Sequence, residues 1–258
     1  MELLFLGAGS AFTLDPNNFQ SNLLFLAENG KKLLIDCGTD IRFSLAKAGY
    51  SHRDITDIYI SHLHSDHVGG LEYIGFVTKF DPNCEKPILY LSQDIAVDLW
   101  HKSLAGGMEA IEGELADLDT FFQIHPLKPN GYFMWEGITF NLIKLNHVNT
   151  GFMLMPAYGL FFEIEGQKIF LTTDTKLGYG EAGLTAYYQQ ADLIFHDCEI
   201  STCPSPVHAH YGELAQLPPE IKAKMWLYGY QQGERPTAIA EGFRGFVERG
   251  QRFSLGTV

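Results

Sequence analysis

A chain of 258 residues, 46% of them hydrophobic, can bury a substantial core within one α/β domain. Eighteen Lys and Arg against 31 Asp and Glu give a net charge of −13. That balance argues against nucleic acid as a partner, which needs cations to neutralise phosphates; it leaves a small anionic substrate open, because bound cations dominate the field inside a metal site. No apolar run approaches the ~20 residues of a membrane span, and Met1–Gly7 lacks the basic leader of a signal peptide. The expectation is a soluble, cytoplasmic protein. Cys37, Cys84, Cys198 and Cys203 are widely spaced, which reads as reduced thiols more simply than as a disulfide or structural zinc site.

Leu3–Leu6 is a short apolar strand that ends in Gly7-Ala8-Gly9-Ser10-Ala11, a tight glycine loop. Its spacing fits neither a dinucleotide nor a P-loop fingerprint. Leu23–Leu26 and Leu33–Ile35 bracket Asn29-Gly30, a hairpin signal. The second of these strands ends in Asp36. That carboxylate either orients a metal-bound histidine or caps the helix expected over Ile41–Ala48.

Ile55, Ile58 and Ile60 alternate as a strand that runs into Ser61-His62-Leu63-His64-Ser65-Asp66-His67-Val68-Gly69-Gly70. Four ligand-type side chains fall within six residues. The strand period of two puts His62 and His64 on one side. Asp66 and His67 follow where the chain turns toward a helix, so one loop could serve two adjacent metal ions. Solvated surface histidines or a hydrogen-bonded core cluster are the plainer alternatives, and the density of ligands weighs against both.

Beyond this loop, Gly69–Phe80 reads as a helix, Pro87–Leu91 as a strand and Asp94–Leu104 as a helix. Ala105-Gly106-Gly107 and the acidic Glu109–Asp119 read as a surface connection rather than a mobile flap. Phe121–Ile124 and Ile138–Leu145 alternate as strands, and the second delivers His147. Gly151–Tyr158 lines a pocket or merely connects strands. Leu160–Ile164 and Ile169–Leu171 form another hairpin around Glu165-Gly166, followed by Asp174. Asp174 either binds metal or caps a helix near Glu181–Gln189. Asp192–Phe195 is a strand entering His196-Asp197-Cys198-Glu199, and Pro206-Val207-His208-Ala209-His210 precedes a short helix. Met225–Tyr228 reads as the last central strand, and Thr237–Val247 as an amphipathic helix. No linker or charge block divides the chain, so a single domain over 1–258 is expected.

His62-x-His64-x-Asp66-His67 resembles the signature of the metallo-β-lactamase superfamily, in its phosphodiesterase branch. That branch holds tRNA 3′-processing endonucleases (tRNase Z-like) and the anti-Pycsar cyclic-nucleotide phosphodiesterases with which phages and bacteria counter cyclic-nucleotide defence signalling. The resemblance runs from Leu3 to Gln231. It implies an α/β fold, the αββα sandwich of two mixed β-sheets flanked by helices. It also implies two divalent metal ions: one on His62, His64 and His147, the other on Asp66 and His67, with Asp174 bridging. Zinc suits these ligands, with manganese as the second choice. Two cations about 3.5–4 Å apart would hold a hydroxide and clamp a phosphodiester. Asp66 would orient that hydroxide or accept its proton. His208, held by Asp197, would protonate the departing alkoxide. Asp197 stands where the family has Glu, and Val207 where it has Gly; His196 and His210 receive no role.

The tRNA-processing relatives carry a long glycine-rich arm after the mid-chain histidine. Only 26 residues separate His147 from Asp174 here, which leaves no room for it. The resemblance therefore points to a small phosphodiester, first of all a cyclic nucleotide. A tRNA 3′-processing activity is the second reading, and a lactone or sulfate ester the third. A homodimer is compatible with the sequence. In this branch the last central strand normally ends in a metal-binding histidine, and Gly229 occupies that place. It is either a bulge or turn, or a lost ligand whose restoration, Gly229→His, would tighten the second metal.

Overall fold

The computed structural model describes residues 1–178 and 184–256. Its strands in chain order are β1 Glu2–Phe5, β2 Leu23–Leu26, β3 Lys32–Ile35, β4 Asp57–Ile60, β5 Ile88–Ser92, β6 Ala110–Ile111, β7 Glu114–Leu115 and β8 Gln123–Leu127. The second half contributes β9 Tyr132–Trp135, β10 Ile138–Lys144, β11 Tyr158–Ile164, β12 Gln167–Leu171, β13 Leu193–Asp197, β14 Met225–Tyr228, β15 Gly245–Phe246 and β16 Arg252–Ser254. Two seven-stranded sheets result, in the orders β16-β1-β2-β3-β4-β5-β8 and β15-β14-β13-β12-β11-β10-β9, beside a two-stranded β6-β7 ribbon.

The two sheets repeat one plan. In the first, β1, β2 and β3 pair antiparallel, and β3 then runs parallel to β4, β5 and β8. In the second, β9 to β12 pair antiparallel, and β12 then runs parallel to β13, β14 and β15. Residues of both inner faces, among them Phe5, Phe25, Tyr59, Phe140, Phe162 and Phe195, form one apolar cluster between the sheets. A second cluster joins the outer face of the first sheet to the helices Ile41–Lys47, Leu71–Phe80 and Gln93–Asp98. A third joins the other outer face to Leu184–Gln190, Tyr211–Leu214 and Pro219–Lys222. This is the αββα sandwich of two mixed sheets. Central β4 is buried at every position because helices cover one face and the partner sheet the other.

Several local expectations change. The helix expected over Asp94–Leu104 continues as a π-helical stretch, Leu99–Leu104, and a further turn, Ala105–Met108, so Gly106 and Gly107 lie inside it. The strand placed at Phe121–Ile124 starts two residues later, after a helical turn at Leu118–Phe121. Thr237–Val247 is not a helix. Only Ala238–Glu241 coils, as a 3₁₀ turn, because Gly242 and Gly245 take φ values of 92° and 137° that no helix contains. Phe243 and Val247, which flank the two-residue strand β15, are buried while Ile239 is exposed. The helix expected near Glu181–Gln189 is seen from Leu184, and residues 181–183 lie outside the described segment. Among the described residues no helix is long and apolar enough to cross a membrane.

Candidate metal centre

The site is assembled where the parallel strands of both sheets end, the edge at which open α/β sheets gather ligands. β3 runs into Asp36, β4 into Ser61 and His62, β12 toward Asp174, and β13 ends on Asp197. The loop after β4 is clamped to the end of β3. Cys37 N–H donates to the His67 carbonyl (2.8 Å) and Gly70 N–H to the Cys37 carbonyl (2.8 Å). This approach needs glycine: a Cβ on Gly38 would sit 2.1 Å from the Asp66 carbonyl oxygen, and one on Gly70 would sit 2.2 Å from that of Gly38. Asp36 turns the chain at φ 62°, a region that Asp tolerates better than most residues. Thr173, beside Asp174, holds φ 53°. For a β-branched residue that conformation is strained, and such strain gathers at functional sites.

His62, His64, His147 and Asp174 bring one ligand-type atom each within 4.8 Å of one another, and so do Asp66, His67 and Asp174. Asp174 belongs to both groups. Its Oδ2 lies 4.0 Å from His62 Nε2, 3.9 Å from His147 Nε2 and 3.3 Å from His67 Nε2. His64 Nδ1 stands 3.1 Å from His62 Nε2 and 3.0 Å from His147 Nε2.

The hydrogen-bond network sets the tautomers. His67 Nδ1–H donates to Asp36 Oδ2 at 2.7 Å, and His62 Nδ1–H donates to Ser61 Oγ at 3.0 Å. The Ser61 hydroxyl in turn donates to Asp36 Oδ2 at 2.8 Å. His147 Nδ1–H donates to the Val207 carbonyl at 2.9 Å. With those nitrogens committed, the Nε2 lone pairs of His62 and His147 face the point that His64 Nδ1 also faces. Such convergence is satisfied by a proton on His64 Nδ1, which can serve only these two acceptors, or by a cation at their common focus. His67 Nε2 is likewise buried and, among the described residues, has no in-line hydrogen-bond partner, though carboxylate oxygens of Asp66 and Asp174 lie 3.1 and 3.3 Å away. The donor set, imidazoles ordered by carboxylate and carbonyl acceptors, therefore fits divalent metal ions.

Electrostatics point the same way. Burial pushes His62 well below the usual imidazole range, lowers His64, and takes His147 down to about 4, so these three rings stay neutral. Burial opposes charge on His67 too, but Asp174, Asp66 and Asp36 together raise it well above the ordinary value. A pocket of carboxylates that would hold a second proton on His67 would equally hold a divalent cation. Asp174 is buried, which disfavours its charge, yet the surrounding histidines hold it well below the carboxylate range.

His208 and Asp197 form the rim. His208 Nδ1 is 2.7 Å from Asp197 Oδ2 and 3.9 Å from Asp174 Oδ2. Asp197 is fully buried, and Thr175 N–H also donates to its Oδ2 at 3.0 Å. Burial pushes Asp197 up to about 6, while Asp197, Asp174 and Glu199 overcome the burial of His208 and push it up to about 10. The shared proton rests on the imidazole, whose side chain is a quarter exposed.

A profile for the family described as anti-Pycsar protein Apyc1 matches residues 1–253. The chain belongs to the Apyc1 family. The Apyc1 protein of Paenibacillus harenae is 32% identical over 231 residues, covering 89% of this chain and 90% of that one. That of Bacillus phage vB_BveM-Goe7 is 30% identical over 263 residues, with 98% of each chain covered. Among solved structures, the metallo-β-lactamase fold protein YhfI from Bacillus subtilis superposes with a TM-score of 0.73 at 16% identity, over 98% of both chains. Human tRNase Z, short form, gives 0.70 at 20% identity, over 99% of both. The chain thus carries the metallo-β-lactamase fold, in agreement with the resemblance read from the sequence.

All eight site residues singled out from the sequence converge: His62, His64, Asp66, His67, His147, Asp174, Asp197 and His208. Asp36 holds histidines and does not cap the helix that follows; Asp40 stands at that N-terminus. Ser61 and Val207, which complete the support of His62 and His147, were not foreseen. Neither residue type advertises such a role, and Val207 acts through its backbone. His210 caps Tyr211–Leu214, accepting from Gly212 N–H, and His196 is buried with Nε2 accepting from the Tyr188 hydroxyl at 2.7 Å. All four cysteines are unpaired. Gly229 lies at φ 82° and a Cβ there would sit 2.7 Å from Asp197 Oδ1. It sits in a bend beside Asp197, and any side chain at this position would enter the site next to that carboxylate.

Proposed function

We propose that this chain is a dinuclear metal-dependent phosphodiesterase that hydrolyses a small phosphodiester, a cyclic nucleotide in the first place, with two zinc ions, or manganese in their stead, as cofactors. The observation that carries the reading is the single carboxylate, Asp174, shared by two ligand clusters 3.9 Å from an imidazole held by a buried acid. The net charge of −13 and the short His147–Asp174 interval support a small substrate over tRNA. Relatives whose name is anti-Pycsar protein support the cyclic-nucleotide choice. The chain would act as one domain in the cytoplasm.

When bound, the two cations supply Lewis acidity and a water that ionises near neutral pH. His62, His64 and His147 would hold one, Asp66 and His67 the other, and Asp174 both. Asp36 keeps His67, and through Ser61 also His62, in the ligating tautomer. Asp66 would orient that hydroxide or accept its proton. The water oxygen forms a bond to phosphorus while the phosphorus–oxygen bond to the leaving alkoxide breaks, its electron pair staying on that oxygen. His208 supplies the proton there, a step worth roughly 10²–10⁴-fold. Asp197 positions the ring and stabilises its charged form.

The test is turnover by the metal-loaded protein on 3′,5′-cyclic mononucleotides, bis(p-nitrophenyl) phosphate, a precursor tRNA and a lactone. Cyclic nucleotides are expected to be cleaved fastest. Cleavage of precursor tRNA without cyclic-nucleotide turnover would overturn the reading.

A further inference from the structure

His208 stands between two cavities of different character. One, about 390 Å³, is lined by Lys176, Ser205, His210 and Glu213 among others. The other, about 510 Å³, is more apolar and is lined by Phe12, Leu14, Val207, Gln231 and Gln232. Both volumes fall in the range of small-molecule sites. Phe12 and Leu14 are 92% and 87% exposed, large apolar side chains presented at the mouth of a cavity that reaches the proton donor.

The apolar cavity has a fixed floor. Ser10 N–H donates to the Tyr230 carbonyl at 3.0 Å, and Gly229 N–H donates to the Ala8 carbonyl at 3.0 Å. The loop that carries Phe12 is thereby tied to the end of β14, where Gln231 follows. Gln231 Oε1 accepts the Ile200 N–H at 2.8 Å, which orients its amide and leaves the NH₂ group without an acceptor among the described residues. The aromatic face of Phe12, the aliphatic walls, the two amides and the largely buried Glu199 carboxylate, which also lines the cavity, suit a flat heterocycle with hydrogen-bond donors on its edge. The polar cavity, with its lysine, glutamate and histidine, suits water or phosphate oxygens.

The chemistry assigns the side as well. His208 gives its proton to the leaving oxygen, and in a cyclic nucleotide that oxygen remains on the ribose that carries the base. Both ester oxygens of a 3′,5′-cyclic nucleotide belong to that ribose, so the sugar that keeps the leaving oxygen lies beside the cavities that His208 lines.

We propose that the cavity between Phe12 and Gln231 receives the nucleobase of the substrate, its face on the Phe12 ring and its edge toward the Gln231 and Gln232 amides. This rests on the cyclic-nucleotide reading and adds where the base is held. Stacking accepts any base because every base has a π face, so the site favours nucleotides over baseless esters without strong choice among bases.

Steady-state kinetics on four cyclic mononucleotides and on an abasic ribose 3′,5′-cyclic phosphate test it. In Phe12→Ala, kcat/KM is expected to fall by about 5- to 150-fold for every nucleotide, mainly through KM, the span that base–aromatic stacking allows. The abasic ester is expected to be unaffected, and Phe12→Trp to restore the nucleotides. Equal losses on both substrate types, or no loss on either, would sink the base site while leaving the phosphodiesterase reading intact. Wild-type protein that cleaves no cyclic nucleotide would sink that reading, and the base site with it.

Discussion

Asp36 Oδ2 accepts from His67 Nδ1 at 2.7 Å and, through the Ser61 hydroxyl, also governs His62. One carboxylate that never faces the substrate thus orders a histidine in each ligand cluster. Outer partners of this kind typically change metal affinity 10- to 100-fold. Asp36→Asn preserves size and tolerates the positive φ, so the fold is expected to persist. Chelator competition should show both metals bound about 10- to 100-fold more weakly. Unchanged affinities would mean that the histidines need no such support.

His64 faces two other imidazoles and is more exposed than either. Removing it takes a ligand from the first cluster and little from the core. For His64→Ala the expected result is a native circular dichroism spectrum, loss of tight metal binding and no hydrolysis. Elemental analysis that still finds two metals per chain would contradict the ligand assignment.

His208 is held charged by Asp197, with its pKa pushed up to about 10. An acid with a raised pKa is protonated below that value and loses its proton as pH rises through it. Turnover of substrates with alkoxide leaving groups should therefore hold through neutral pH and fall on the alkaline side. In His208→Ala that alkaline limb should vanish, with rates roughly 10²–10⁴-fold lower for alkoxide leaving groups and little changed for p-nitrophenolate, which needs no proton. Equal losses for the two would assign His208 to binding rather than proton transfer.

Gly229 cannot take a side chain at its present φ without pressing on Asp197. A non-glycine residue in the left-handed region costs about 1–2 kcal/mol, and the contact would add to it. Both Gly229→Ala and Gly229→His should lower the melting temperature and slow alkoxide esters, because Asp197 would be displaced from His208. Tighter metal binding in Gly229→His would instead identify this position as a lost ligand.

The sequence by itself singled out the cluster His62, His64, Asp66 and His67 and most of the core strands, while His147 and Asp174 joined it through the family resemblance. Ligand chemistry demands particular side chains at close spacing, and a hairpin announces itself in residues such as Asn29-Gly30, so both signals are local. The sandwich came from resemblance to a family; periodicity alone supported mixed α/β. What tertiary structure decided was non-local. Asp36 could cap a helix or hold a histidine, and only the meeting of the β3 and β4 ends at 2.7 Å chose. That Gly229 adjoins Asp197 is likewise set only by the pairing of β13 with β14. The pattern of Thr237–Val247 fits a helix as well as a strand edge, and backbone conformation at Gly242 and Gly245 decided against the helix. His208 needs Asp197 buried beside it to carry a proton at neutral pH, an environment that no stretch of sequence contains. Identity is written along the chain, whereas desolvation and mutual orientation exist only once distant segments have packed.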